Sequence, residues 1–487
     1  MRKTYILIII MSFICTTLAQ NRGDLTVATD MIIDWNEECG KLTVNNGVTL
    51  TIADGGELTV TKSIKNNGSI IIEEGGQLIT TLAGQNIIVK KNLEAHNNTK
   101  WYAISAPVDC SITTPFTSFT DYDLYYYDEP AAFWRSYKDN VSNTQFTNNN
   151  PGRGYLCAVE ADKTLSFTGN LIKSVSAYAI TNSSTTLLKG FNLIGNPYTH
   201  KIYKGWTNQS DACAIASQDL ASGYYKLSGS GSWTLCNYEV PINPCEGILI
   251  KTRSEISLVI DNNTLEANSD SDFNPFGVKG NNKELEITIA GNSGEDRTYA
   301  YFYNGIGLDK IEHMSEKAPS LSIRYEDTDY AIAHVDENSN LLDVIFKNNQ
   351  SGFFTLSVNN EKANFKYLHL IDNLTGEDID MLAGKSYKFY AFGNEDENRF
   401  KIVLNPNTDS AEASTFAYVS NDDIIITGLD GNATLQIFDV MGRMVSAESI
   451  TGTNGMVSRS HKPATAGVYV LRLITNNGMN TQKIVIE

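Results

Sequence analysis

The chain has 487 residues, with 38 Lys and Arg against 56 Asp and Glu, and a net charge of −18. That length exceeds one ordinary core and predicts several domains. A field of this sign repels phosphate backbones and no basic stripe offsets it, which excludes nucleic acid as a partner.

Residues 1–19 read as an export leader. Arg2 and Lys3 form its positive part, Tyr5 to Ile14 its apolar part, and Thr17 to Ala19 a small-residue cleavage site. Ile14 is too large for the position before a lipidated Cys15. The apolar run is too short to span a membrane, and no later run reaches spanning length, so the mature chain is read without a transmembrane segment. Six cysteines follow the leader, at positions 39, 110, 157, 213, 236 and 245. An even number in an exported chain permits disulfides, and the cluster Cys213, Cys236 and Cys245 suggests at least one local bridge, with buried free thiols as the alternative for any one pair.

Residues 20–97 carry an internal repeat. Paired glycines at 55–56 and 75–76 recur after 20 residues, each between short runs of Val, Ile, Leu and Thr. One such unit cannot bury its apolar side, but stacked units can, which predicts a short β-solenoid-like domain. Asn-Asn-Gly at 45–47 and 66–68 is also a hairpin signal, so an antiparallel meander is the alternative. Outward positions such as Thr49, Thr51, Glu57 and Thr59 look like an ordinary solvated sheet, and suit a spacer.

Residues 98–263 form an aromatic-rich β-domain with short strands and frequent turns. Tyr122, Tyr125, Tyr126, Tyr127, Trp134, Tyr137 and Tyr155 fall close together, with Asp123, Asp128, Glu129, Arg135 and Arg153 among them. Aromatic faces with polar neighbours can stack on sugar rings or hold a protein partner. The candidate ligand-binding residues are Tyr122, Tyr126, Trp134, Arg135 and Tyr137. Against this stands the reading that one face of the tyrosine strand is simply core.

Residues 264–405 show eight short strand patterns separated by Asn, Asp, Gly and Ser turns, which predicts a two-sheet sandwich. Asp270, Asp272 and Asn274 alternate like calcium-loop ligands, but Pro275 and Asn281 fill the positions where such a loop needs Gly and Glu, so the stretch reads as a polar linker. Asn405 to Ala411 is a second linker, and Asp409-Ser410-Ala411 resembles a Bacteroidetes O-glycosylation acceptor.

Residues 406–487 hold three alternating stretches, Leu435 to Arg443, Gly467 to Leu473 and Lys483 to Ile486. Their order resembles the C-terminal sorting domain of proteins exported by the type IX (Por) secretion system of Bacteroidetes. The resemblance implies an Ig-like sandwich, passage through the outer-membrane export machinery, and release or attachment at the cell surface. It marks Gly442, Arg443, Gly467, Tyr469 and Lys483 as sorting-motif residues. The order of the central β-domains is also similar to that of large surface proteins carrying this domain.

Nothing in the sequence specifies chemistry. The six histidines lack metal-ligand spacing, no nucleophile elbow is present, and neither a metal nor a cofactor is implied. The expectation is an all-β surface protein, a β-solenoid-like repeat followed by β-domains and a sorting sandwich, that works by adhesion to a glycan or a host or matrix protein. A structural stalk without a ligand is the alternative, and a glycan-processing enzyme is a further one.

Overall fold

The computed structural model describes residues 23–486 except 97–99, 119, 140, 186–187, 206–212, 230, 238, 263–282, 364, 394, 396, 405–415, 428, 430, 453–457 and 476–477. The leader, the Asp270–Asn274 alternation and Asp409-Ser410-Ala411 therefore lie outside the described residues.

The repeat region is a solenoid. Leu25–Val27, Asn36–Val44, Glu57–Asn66 and Gln77–Ile79 stack as one parallel sheet. Met31–Ile33, Thr49–Ile52, Ser69–Ile72 and Ile87–Leu93 stack as a second. The glycine pairs turn the chain from one sheet to the other instead of closing hairpins, which removes the meander alternative. Gly55 and Gly75 take positive φ of 76° and 88°. A Cβ on Gly56 would sit 2.2 Å from Ile33 O, so the turns of adjacent rungs touch backbone to backbone. Ile33, Ile52, Ile72 and Val89 share one register row and form a buried ladder between the sheets.

The far end of the solenoid is covered by the next region. Lys163–Gly169 pairs antiparallel with Ile87–Leu93, and Leu78 N donates to Thr199 O at 3.0 Å. The solenoid core runs on through Phe116, Leu124, Tyr126, Phe146 and Tyr155. Around it lie a sheet of Phe133–Ser136, Tyr122–Asp128, Tyr155–Val159 and Tyr102–Ile104, and a sheet of Phe191–Gly195, Gly247–Lys251, Tyr224–Leu227 and Trp233–Cys236.

The third region keeps all eight expected strands and adds Leu308–Asp309, Ser320–Tyr325 and Glu377–Asp380. Ten of its strands follow one hydrogen-bonded path, with Leu308–Asp309 paired beside it, and the path folds round a single core. Tyr299, Tyr301, Leu308 and Ile332 pack against Phe191, Tyr225 and Trp233 of the preceding region. The C-terminal region stacks the three-stranded sheet Ala417–Ser420, Asp423–Ile426 and Ser458–His461 on the four-stranded sheet Met444–Gly452, Gly431–Asp439, Gly467–Thr475 and Gly478–Ile486.

The expected local disulfide is absent. Cys39, Cys110, Cys157, Cys236 and Cys245 are free thiols, and all five are buried, as is Cys213. Cys245 lies in the solenoid-linked core and Cys236 in a separate one, so these thiols act as small hydrophobes. No helix among the described residues is long and apolar enough to cross a membrane.

Candidate functional site

The tyrosine-rich strand Tyr122–Asp128 is covered on both faces. Tyr122 stacks on Phe116 with centroids 4.5 Å apart. Tyr126 meets Phe146 edge-on at 5.2 Å, and its hydroxyl accepts from Asn143 Nδ2 at 3.2 Å. Tyr137 reaches the same Phe146 ring at 5.3 Å. Tyr126 and Tyr137 thus converge on Phe146, and Tyr122 stacks on Phe116 in the same core. Trp134 lies elsewhere, tilted on Tyr127 at 5.0 Å beside the core of Phe191 and Tyr225. Arg135 is exposed and pairs with Asp128. The five residues are divided between two cores and the surface.

The acid next to this strand has a structural post. Glu129 is buried, and its carboxylate accepts from the backbone N–H groups of Ser183, Ser184 and Gly190 at 2.9 to 3.1 Å. Burial pushes its pKa up, but those amides outweigh burial and hold it below the ordinary value.

A second aromatic group went unnoticed in the sequence. Phe353, Tyr390 and Phe392 are 59%, 42% and 66% exposed. Phe353 and Tyr390 are direct cross-strand partners between Gly352–Asn359 and the edge strand Ser386–Ala391. Their rings meet at 5.2 Å and 83°, and Tyr390 meets Phe392 at 4.9 Å and 67°. Lys388 Nζ lies 5.0 Å from the Phe353 ring centre. Thr355 and Ser357 continue the same outward row.

This corner is braced from beneath. Arg399 is buried and grips Asp372 with two hydrogen bonds of 2.9 and 2.7 Å. The same guanidinium donates to Tyr390 O at 3.1 Å and to Glu395 Oε2 at 2.7 Å. Glu395 Oε1 in turn accepts from Phe392 N at 2.6 Å. The backbones carrying two of the three exposed rings are thereby fixed to one buried ion-pair network. Gly393 lets the turn close, since a Cβ there would lie 2.9 Å from the Asn349 carbonyl carbon. The signal available in the sequence was the alternation in Gly352–Asn359 and Ser386–Ala391, which sends Phe353 and Tyr390 to the face opposite Phe354 and Phe389.

The ionisable clusters elsewhere are built into packing. Asp296 is buried against Lys310, with His313 Nε2 at 3.5 Å, and Leu321 N donates to it at 2.6 Å. Burial raises the Asp296 pKa, but Lys310 and His313 together outweigh it and the carboxyl stays below its usual value. Ser222 and His334 approach at 2.8 Å, with the other ring nitrogen on Tyr303 O at 2.7 Å, so His334 ties the second region to the third. A cleft of about 400 Å³ lies between the third and C-terminal regions, and among the described residues Asp336 is the one carboxylate lining it. No group of three or more His, Cys, Asp or Glu that could hold a metal occurs among the described residues.

The sorting-motif residues fall into a turn and a face. Gly442 takes φ of 78°. The Asp439 carboxylate accepts from Met441 N and Arg443 N at 2.9 and 3.0 Å and pairs with the Arg443 side chain. Bonds to Arg443, its backbone N–H first, hold the Asp439 pKa down against the small effect of burial. Gly467 opens the strand Gly467–Thr475, and Tyr469 is buried with its hydroxyl donating to Thr465 O at 2.7 Å. Lys483 points outward opposite Val470.

Two family models match the chain. Residues 15–209 match a domain of unknown function, DUF8693, a span that joins the solenoid to the strands capping it. Residues 420–487 match the secretion system C-terminal sorting domain. No curated protein matches the chain. The turn at Gly442, the buried Tyr469 and the two-sheet sandwich are the structural form of that second match, and the chain is an exported, all-β surface protein carrying the sorting domain of Bacteroidetes type IX secretion substrates.

Proposed function

We propose that this protein is a non-enzymatic surface adhesin that holds a neutral glycan on the Phe353–Tyr390–Phe392 corner. The observation that carries the reading is the exposure of three contiguous rings on a backbone fixed by Arg399. Exposed aromatic surface is costly in water unless it serves a contact. Ring faces take the C–H faces of sugars, while the neighbouring Thr355 and Ser357 hydroxyls and the Lys388 amine can bond to sugar hydroxyls. A rigid support lowers the entropy lost on binding. The chain's net charge of −18 favours an uncharged sugar over an acidic one.

The test is a glycan array followed by calorimetry with the full mature chain, run beside Phe353→Ala/Phe392→Ala. Saturable binding of a neutral glycan, weakened about tenfold or more in the variant with an unchanged melting temperature, supports the adhesin reading. Binding that survives the double substitution removes this corner as the site. An array without any binding leaves the stalk role, which the packing of Tyr122, Tyr126 and Tyr137 into a core favours.

A further inference from the structure

The C-terminal region carries a second exposed apolar surface, and register makes it continuous. Phe438 lies opposite Met444 on one side and Val470 on the other. Val470 faces Lys483, and Val468 faces Val485. Val440, Met441, Met444, Val470 and Val485 are all exposed, Met441 at 77%. Met444, Val470 and Val485 lie on the outer face of the four-stranded sheet, and Val440 and Met441 in the Gly442 turn at its end, with the core residues Leu435, Ile437, Leu471 and Leu473 on the inner face. A solvated outer face ordinarily alternates to polar residues. Here the inner set is apolar as the core requires, and one end of the outer set is apolar as well.

Charge distinguishes the same face. Arg135, Arg253, Arg297, Arg324, Arg399 and Arg443 each pair with a carboxylate. Arg472 does not. Its guanidinium lies 4.7 Å from the Phe438 ring centre, and its buried Nε has no hydrogen-bond partner among the described residues. Lys483 stands in the adjacent row with no ion pair among those residues. A chain with 56 acidic and 38 basic residues thus leaves two cations unmatched beside its apolar strip. Arginine next to exposed methionine and an aromatic ring is the composition of a protein contact, and the unmatched charge calls for a carboxylate on the other side.

We infer that this outer face is the surface by which the sorting domain docks on a protein of the export machinery, and that the complementary surface is apolar and edged with carboxylates. The inference rests on the sorting-domain match and goes further by naming the face and its chemistry. The Gly442 turn and the buried Tyr469 shape this surface from behind, while Arg472, Lys483 and the apolar strip make the contact.

The test is export of the full chain from a type IX-competent bacterium, measured as the ratio of cell-surface and medium protein to periplasmic protein. One variant is Val440→Ser/Met444→Ser/Val485→Ser and another is Arg472→Gln/Lys483→Gln. A chain cut before residue 416 and the exposed-ring variant Phe353→Ala/Phe392→Ala serve as controls. Melting of each purified full-length variant checks the fold, and the three serine sites are exposed enough to keep it. The expected result is a drop in the export ratio of about tenfold or more in both face variants, as loss of a contact centre produces, with the ring variant unchanged. Normal export of folded face variants, while the cut chain stays inside, overturns the docking face and leaves the sorting assignment standing. Export of the cut chain overturns both.

Discussion

Two regions of this molecule are rich in aromatic residues, and they use them in opposite ways. Tyr122–Asp128 places three tyrosines in succession, so its side chains go to both faces of the strand. One face enters the solenoid-linked core through Tyr126, and the other meets the core of Phe191 and Tyr225 through Tyr127. Gly352–Asn359 and Ser386–Ala391 alternate instead. Phe354 and Phe389 go inward, while Phe353 and Tyr390 remain outside on a sheet with no further layer over them. Aromatic density along the chain therefore marks core here, and aromatic alternation beside an edge strand marks surface.

The strongest way to break that contrast is to truncate one ring from each region. Tyr126→Ala removes a buried ring packed on Phe146 and is expected to cost about 3 kcal/mol or more in denaturant unfolding. Phe392→Ala should stay within about 0.5 kcal/mol of the parent. Equal losses would show that the exposed corner is held by packing after all.

Arg399→Ala tests the brace. It leaves Asp372 buried without its cation, with an expected loss of about 3–5 kcal/mol. Glycan affinity should fall as well, because Tyr390 O and Glu395 lose their common donor. Loss of stability with affinity intact would separate the brace from the binding corner.

Glu129→Ala comes next, at about 1–3 kcal/mol, since it strands three backbone donors in the interior. Its pH signature has a definite sign. The folded carboxyl titrates below its ordinary value of 4.5. The stabilisation is complete above the unfolded carboxylate range and is lost as pH falls through the folded value. Acid-induced unfolding of the Glu129→Ala chain should start from lower stability and depend less on pH over that range.

The smallest expected effect is at the junction between the two regions. Burial lowers the His334 pKa from 6.5 to about 4, against the smaller opposing effect of its bond to Tyr303 O. Between those pH values the unfolded chain binds a proton that the native chain does not, so stability declines as pH drops through that window. His334→Gln should flatten the decline in melts taken from pH 7 to 4. A slope identical to the parent would assign it to other groups.

Much of the architecture was legible along the chain because it repeats or alternates. The 20-residue spacing of Gly55-Gly56 and Gly75-Gly76 announces stacked rungs, since a Cβ on Gly56 would lie only 2.2 Å from Ile33 O. The eight strand patterns of the third region are all present. Of the three added strands, Leu308–Asp309 and Glu377–Asp380 are two and four residues long, too short to show a period, whereas the six-residue Ser320–Tyr325 is not explained by length. The sorting motif was readable because its turn and its buried tyrosine are local features.

What the chain by itself determined is therefore the class of each region, its delivery out of the cell, and which residues alternate. Tertiary structure decided which faces are covered. A period of two says that neighbours part company across a sheet, but not whether a second layer lies over the outer side. Tyr126 and Tyr390 have the same side chain and the same strand geometry, and they differ in what folded against them. The separation of the thiols, the reach of Arg399 to Tyr390 O and the place of Arg472 over the Phe438 ring depend likewise on contacts between distant segments, which local pattern does not encode.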